Sequence, residues 1–260
     1  RGLGDVYKRQ EHTLRLAKKY DAEVFVKINT GMNRLGFSTI GETASAVKNL
    51  RVLGVFTHLS SADGDDATDR RITEAQIKNF MEAELVVKNE KDVPFYAENS
   101  AALIKYGRFF DGARIGIALY GVNPVPGDKT PLLPVMTFRA AVIAINTVKK
   151  GDFIGYSRGY RAKKDMRVAI ISTGYADGLP RALSNKGMIF CNGQFLKIVG
   201  KVSMDSVAVD AGDADVKIMD EVVVFGDEIT VTDVANRADT LPYEILTGVS
   251  ERVKRVYKNP

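Results

Sequence analysis

Cysteine and histidine are scarce in this chain of 260 residues, which holds one cysteine, Cys191, and two histidines, His12 and His58. A single thiol excludes an intramolecular disulfide framework. These three residues, far apart in sequence, leave no cluster spaced like a zinc site, so no metal is expected. Long apolar runs are missing as well. Stretches such as Val222 to Phe225 fall far short of the roughly 20 residues a membrane-spanning helix needs, and no secretory signal pattern is present. No membrane partner is expected. With 45% apolar and 27% charged residues the chain reads as soluble and globular, long enough for one large domain or two ordinary ones.

The formal net charge of +5 would suggest an acidic partner if it were spread over one face. It is not. Residues 1–20 carry a net +4 and residues 251–260 a net +3, so the 230 residues between them carry −2. No interleaved aromatic and basic pattern for stacking bases appears, and no nucleic-acid partner is expected.

Four of the eight prolines (Pro124, Pro126, Pro131, Pro134) fall within eleven residues, where neither a helix nor a central strand can run. The segment 123–134 therefore reads as a linker. Before it, the runs V-F-V-K-I-N (24–29), V-L-G-V-F-T-H-L (52–59), P-F-Y-A-E-N (94–99) and R-I-G-I-A-L-Y (114–120) have the character of buried parallel strands. A helix is expected between the second and third, with Ile77, Phe80, Met81, Leu85 and Lys88 at helical spacing. That is a βαβ series. After the linker, 135–146, 167–173, 195–204 and 207–210 read as strands with short links, including an Asn192-Gly193 hairpin signal. A mainly antiparallel β domain over 135–260 is expected. A closed (β/α)8 barrel needs eight strands in roughly 250 residues, whereas residues 11–122 offer about four βα units. Residues 1–10 show no helical or strand period and resemble translated adapter sequence, expected to be a non-native leader.

Several residues in these segments could carry chemistry. Lys27 lies inside an apolar strand with Arg34 in the loop after it, either a snorkelling lysine beside a surface arginine or part of a site at a strand end. His58 ends the second strand run, as a hydrogen-bonded core histidine or a functional one. Asn99-Ser100 opens a helix, where Ser100 is an N-cap or a phosphate contact. Arg114 begins the fourth run, and Gly116 permits close approach to the backbone. Tyr156 in G-Y-S-R-G-Y, Tyr175 in G-Y-A-D-G, Met204 and Asp205 in V-S-M-D-S, and Tyr243 in L-P-Y-E-I-L-T are uninformative singly.

Together and in order, V-K-I-N-T-G-M-N-R-L-G-F, T-H-L-S-S-A-D, E-N-S-A-A-L, R-I-G-I-A-L-Y-G-V-N-P, G-Y-S-R-G-Y, G-Y-A-D-G, G-K-V-S-M-D and P-Y-E-I-L-T are specific. From about residue 11 to the C-terminus the chain resembles the alanine racemases, enzymes that use pyridoxal 5′-phosphate (PLP) to interconvert L- and D-alanine. The resemblance implies a (β/α)8 barrel of which this chain has the C-terminal half, followed by the β domain, in a cytoplasmic head-to-tail homodimer supplying D-alanine for peptidoglycan.

Residue by residue, it implies a carbamylated Lys27 orienting Arg34 toward the substrate carboxylate and the cofactor's phenolic oxygen. Ser100, the backbone of Gly116 and Ile117, and the Tyr243 hydroxyl would hold the phosphate, with Asn99 beside them. Arg114 would face the pyridine nitrogen, and because a guanidinium only donates, that nitrogen would stay unprotonated. Tyr156 would be the base on the L-alanine face, reaching a partner subunit's barrel, with His58 and Arg114 as a supporting network. Met204, through its backbone, would contact substrate with Asp205 beside it, and Tyr175 would line the entrance. The family's second base, the lysine that binds PLP as a Schiff base, lies in a K-A-N-A-Y-G-type motif, and no lysine here has that context. The chain thus looks N-terminally truncated and inactive alone. A serine or lysine racemase would share nearly every motif, whereas a non-catalytic PLP-binding homologue would be expected to relax Tyr156, Arg114 and Arg34, and all three remain.

Overall fold

The computed structural model describes the backbone of residues 4–6 and 11–258 and the side chains of residues 14–258. The chain divides into two compact units between Leu132 and Leu133.

The first unit is a βα series around a four-stranded parallel sheet. Its elements are β1 (Gly4–Val6), α1 (Glu11–Lys19), β2 (Glu23–Lys27), α2 (Ile40–Asn49), β3 (Arg51–Phe56), α3 (Ala67–Lys88), β4 (Phe95–Tyr96) and α4 (Ser100–Tyr106). The strands lie in the order β1-β2-β3-β4, so α1, α2 and α3 are each a crossover between parallel neighbours, and α4 follows the last strand. Thr39 starts α2 with a capping box, its hydroxyl accepting from the Glu42 N–H while the Glu42 carboxylate accepts from the Thr39 N–H. Asp66 caps α3 with its side chain, which accepts from the Asp69 N–H at 2.8 Å. The core gathers Val24, Val26, Val47, Val55 and Phe95 beneath α3, where Phe80 meets Phe95 and Phe110 at centroid distances of 5.1 and 4.8 Å.

Four expectations are corrected here. Residues 114–120 do not form a strand. The chain makes a single parallel bridge at Gly112 with Tyr96, passes through irregular backbone in which the Arg114 N–H donates to the Glu98 carbonyl, and closes into a 3₁₀ turn over Ile117–Tyr120. Arg114 therefore follows a bridge instead of opening a strand. Ser100 is not an N-cap: Asn99 holds that place, its Oδ1 accepting from the Ala102 N–H at 2.9 Å, and Ser100 is the first helical residue. The buried face of α3 is Thr73, Gln76, Phe80, Ala83 and Val87, whereas Met81 and Leu85 are exposed. Phe80 is on the expected face, but Met81 and Leu85 are not, because Thr73, Gln76 and Ala83 take places beside Phe80 and Val87 against the sheet. Finally, Gly4–Val6 pair with Val24–Val26 although residues 1–10 show no strand period. The rest of that decapeptide lies outside the described residues.

The second unit is built on a six-stranded antiparallel sheet. It comprises β5 (Phe138–Val148), β6 (Phe153–Ile154), β7 (Tyr160–Arg161), β8 (Met166–Ile171), β9 (Met188–Cys191), β10 (Gln194–Lys197), β11 (Val207–Asp210) and β12 (Glu221–Phe225), followed by α5 (Val231–Ala238) and α6 (Pro242–Gly248). The large sheet runs β10-β9-β12-β5-β8-β11, and β6 and β7 pair separately. Asn192 and Gly193, both at positive φ (47° and 81°), turn β9 into β10 with Cys191 opposite Gln194. The strand expected over 195–204 stops at Lys197. Ile198 makes one bridge to Val209 and the chain then leaves the sheet to form the 199–204 loop.

Candidate active site

In the first unit the candidate residues sit at and just beyond the C-terminal ends of β2, β3 and β4, the end at which parallel α/β sheets place their sites. Lys27 is the last residue of β2 and is buried, 4% exposed, with its ammonium 5.8 Å from the Phe56 ring centroid. The loop after it returns sharply. Gly36, at φ 120°, has no room for a Cβ, which would lie 2.8 Å from the Asn29 nitrogen and 3.0 Å from the Lys27 oxygen. Asn29 Oδ1 accepts from the N–H groups of Gly31 and Asn33, and this turn carries Arg34 to an exposed position.

Arg114 is the centre of the cluster. One of its terminal nitrogens, Nη2, lies 2.6 Å from the Thr57 carbonyl oxygen and 2.8 Å from His58 Nδ1, and its guanidinium stacks 4.5 Å from the Phe56 centroid. A guanidinium donates and never accepts, so His58 Nδ1 is the acceptor and a neutral His58 carries its proton on Nε2. Partial burial, followed by the positive charges of Arg114, Arg34 and Lys27, lowers the His58 pKa to about 4. His58 is thus a neutral acceptor at neutral pH.

Ser100 is buried, and its Oγ accepts from the N–H groups of Gly116 (3.1 Å) and Ala118 (3.3 Å). The hydroxyl proton is left to donate outward. A Cβ on Gly116 would meet nothing within 4 Å. A hydroxyl donor with open space beside a glycine suits the oxygens of a phosphate. Ile117 is buried at the start of the 3₁₀ turn, and Asn99 ties this corner to the neighbouring loop by donating to the Leu59 carbonyl at 3.1 Å.

Two buried polar residues complete the cluster and were not foreseen. Glu98, fully buried, accepts from the N–H groups of Phe109 and Phe110, while its own carbonyl accepts from the Arg114 N–H at 2.7 Å. Gln76 of α3 is hydrogen-bonded to the His58 carbonyl. A polar residue at helical spacing between Thr73 and Phe80 was the available signal for Gln76. Glu98 had none beyond its place between Ala97 and Asn99.

In the second unit the candidates are exposed side chains on constrained loops. Tyr156, 72% exposed, opens a 3₁₀ turn after Gly155 (φ 74°), and Ser157 and Arg158 follow at φ 53° and 54°. Two successive non-glycine residues in the left-handed region store strain that the neighbouring structure must hold. Gly174 lies so close to the 203–204 backbone that a Cβ would fall 2.2 Å from the Met204 oxygen, and Gly178 (φ 112°) is similarly pressed against Gly248 and Val249. The Tyr175 N–H donates to the Ser203 carbonyl, and the Ala176 N–H to that of Met204, both at 3.0 Å. Arg252 then spans Asp205 (2.7 Å) and Asp177 (3.4 Å). The structure therefore brings Tyr175, Met204 and Asp205 together. Tyr243 lies in the first turn of α6, half-exposed. Among the described residues no three His, Cys, Asp or Glu side chains form a metal-holding group, and no helix is long and apolar enough to cross a membrane.

The family model described as "Alanine racemase, N-terminal domain" matches residues 7–124, and "Alanine racemase, C-terminal domain" matches residues 135–257. Among curated proteins, an alanine racemase of Halothermothrix orenii is 36% identical over 262 residues, covering 94% of this chain and 68% of that protein. One of Aquifex aeolicus is 35% identical, covering 95% and 69%. The chain thus spans about two thirds of the relatives' length. Among solved structures, alanine racemase from Streptomyces coelicolor A3(2) aligns with a TM-score of 0.90 at 29% identity, covering 98% of this chain and 72% of that one. The enzyme from Bartonella henselae, with covalently bound pyridoxal phosphate, aligns with a TM-score of 0.83 at 31% identity, covering 95% and 70%.

Proposed function

This chain belongs to the alanine racemase family, and from that membership we propose that it carries cofactor-binding and substrate-facing residues of a PLP-dependent enzyme that interconverts L- and D-alanine. The observation that supports this reading most strongly is the Arg114 cluster beside Ser100. A permanently charged donor is fixed between Thr57 and a neutral His58, next to a hydroxyl and open backbone suited to a phosphate. Ser100, the Gly116 and Ile117 backbone and Tyr243 hold the phosphate, and Arg114 faces the pyridine nitrogen as a donor. When bound, PLP supplies an electron-withdrawing ring system that acidifies the substrate Cα–H.

The remaining roles belong to the protein. Arg34 binds the alanine carboxylate, the geometry a guanidinium fork suits. Carbamylation of Lys27 gives Arg34 an anionic partner. Tyr156 Oη accepts the Cα proton of L-alanine and returns it in the reverse direction, in the site of the neighbouring subunit of a head-to-tail homodimer. The Met204 backbone contacts the substrate, with Asp205 beside Met204 as a supporting residue, and Tyr175 lines the entrance. Racemisation needs a second base on the opposite face, and no lysine of the 260 residues stands in the motif that supplies it. The 260 residues by themselves accordingly do not racemise alanine.

Equilibrium binding of PLP to the 260-residue chain tests the cofactor reading. PLP should bind, inorganic phosphate should compete, and Ser100→Asp should weaken binding about tenfold or more, the loss expected for a charge-assisted hydrogen bond replaced by repulsion. Affinity unchanged by that substitution removes the reading. A chiral assay with PLP and L-alanine should show no D-alanine. Racemisation, or PLP reduced onto a lysine by borohydride, contradicts the activity proposal.

A further inference from the structure

Gln76 belongs to none of the motifs used so far, yet no other side chain of α3 reaches so much of the site. It is 2% exposed and its amide is fully used. Oε1 accepts from the Ser60 N–H (2.9 Å) and the Ser60 hydroxyl (3.0 Å), while Nε2 donates to the His58 carbonyl (3.1 Å) and to Thr30 Oγ1 (3.4 Å). The direction of the bonds beyond it is fixed by proton count. Thr57 Oγ1 donates to the Ile28 carbonyl at 3.0 Å, so the 2.7 Å contact between the two threonine hydroxyls has Thr30 as donor. Thr30 must then accept from Gln76. One helical turn on, Asn79 donates to the Thr30 carbonyl at 3.2 Å.

These bonds hold both flanks of the His58–Leu59 segment and the threonine that precedes it. The same segment supplies the two acceptors for Arg114, the Thr57 carbonyl and His58 Nδ1, which must converge on a single nitrogen bearing two hydrogens. We propose that Gln76 is a positioning residue for the Arg114 donor, fixing the Thr57–Ser60 turn so that the Thr57 carbonyl and His58 Nδ1 meet one guanidinium nitrogen. Its consequence for cofactor affinity rests on the proposed role of Arg114, whereas its consequence for His58 does not. A glutamate cannot replace it, because a carboxylate has no hydrogen to give the His58 carbonyl or Thr30. The amide type, and not only the shape, is what the position requires.

The test uses the whole 260-residue chain with ¹³C-labelled histidine. Only two histidines exist, so a His12→Asn variant assigns the signals. His58 is faced by Arg114, Arg34 and Lys27, and in the unsubstituted chain it should stay neutral down to about pH 4. Gln76→Met keeps length and burial but removes every hydrogen bond, so the His58 titration should move up by about one pH unit or more toward its ordinary value. PLP affinity, read by equilibrium dialysis, should fall about tenfold. Val87→Ala, on the same buried helix face, should lower stability and leave both readouts in place, which separates positioning from packing. If Gln76→Met does not fold, Thr30→Val removes one partner of the amide, and a smaller rise in the same direction is expected. A folded Gln76→Met chain with His58 still titrating at about pH 4, or an unmoved His58 in Thr30→Val, overturns the proposal. If the unsubstituted chain binds no PLP, the cofactor reading fails and the titration alone decides the role of Gln76.

Discussion

In the βα unit Lys27, His58, Asn99, Ser100 and Arg114 are buried or half-buried and held by side-chain and backbone partners, with Arg34 exposed, whereas in the β domain the candidates are exposed side chains carried on a backbone held by glycines. Arg114, His58 and Ser100 each have named hydrogen-bond partners in the first unit. Tyr156, Met204 and Tyr243 are all more than half exposed in the second. The difference follows from the work proposed for each. A charge that must face a cofactor is worth most when its partners are fixed in a water-poor site before anything binds. A base that must reach a substrate needs an accessible side chain, and what can be fixed is the loop beneath it. Strain at Ser157 and Arg158 and the close approach at Gly174 fix that loop.

The contrast can be broken by substitution. The largest effect is expected from Phe80→Ala, which removes a fully buried ring from contact with Phe95 and Phe110 and should cost about 3–5 kcal/mol. A small cost in urea denaturation would mean that the βα unit is not held by side-chain packing. In the β domain the matching substitution adds a single methyl. Gly174→Ala forces the 174–178 loop away from the Met204 carbonyl and should cost about 2–3 kcal/mol. Near-neutrality would show that this loop is not locked by backbone approach.

The pH dependence of stability should separate the units as well. His58 titrates at about 4 in the fold and near 6.5 when unfolded. The unfolded chain therefore takes up the proton first, and stability should be constant above about pH 7 and fall as pH drops from about 6.5 to about 4. Arg114→Met should make that decline shallower, because one of the charges opposing protonation is gone. An unchanged slope would deny the coupling. The smallest effect is expected at Arg252, whose ion pair with Asp205 is exposed to solvent and whose contact with the more buried Asp177 is longer, 3.4 Å. Arg252→Ala should cost less than about 1 kcal/mol. A larger loss would show that side chains, and not the glycine contacts, hold the Tyr175 and Met204 loops.

The legible part of the site was the part written in contiguous motifs. Lys27, His58, Asn99 and Ser100 stand at strand ends that apolar runs announce, and the Asn192-Gly193 turn follows from residues that tolerate positive φ. Two of the failures came from following hydrophobicity. R-I-G-I-A-L-Y looks like a strand, but its backbone N–H groups at Gly116 and Ala118 bond the Ser100 hydroxyl and leave no ladder. Met81 and Leu85 look like core, but they lie on the solvent side of α3.

Residue order alone was enough for the two-unit α/β-plus-β class and the family resemblance, because those depend on local period and on motifs within a few residues. The helix rotation that buries Gln76, the turn that brings Glu98 beneath Phe109 and Phe110, and the pairing of Arg114 with a histidine 56 residues earlier belong to the folded chain. Each is a hydrogen bond between groups distant in sequence. Such a bond exists only once register and helix orientation are set, and those are chosen by the packing of the whole unit.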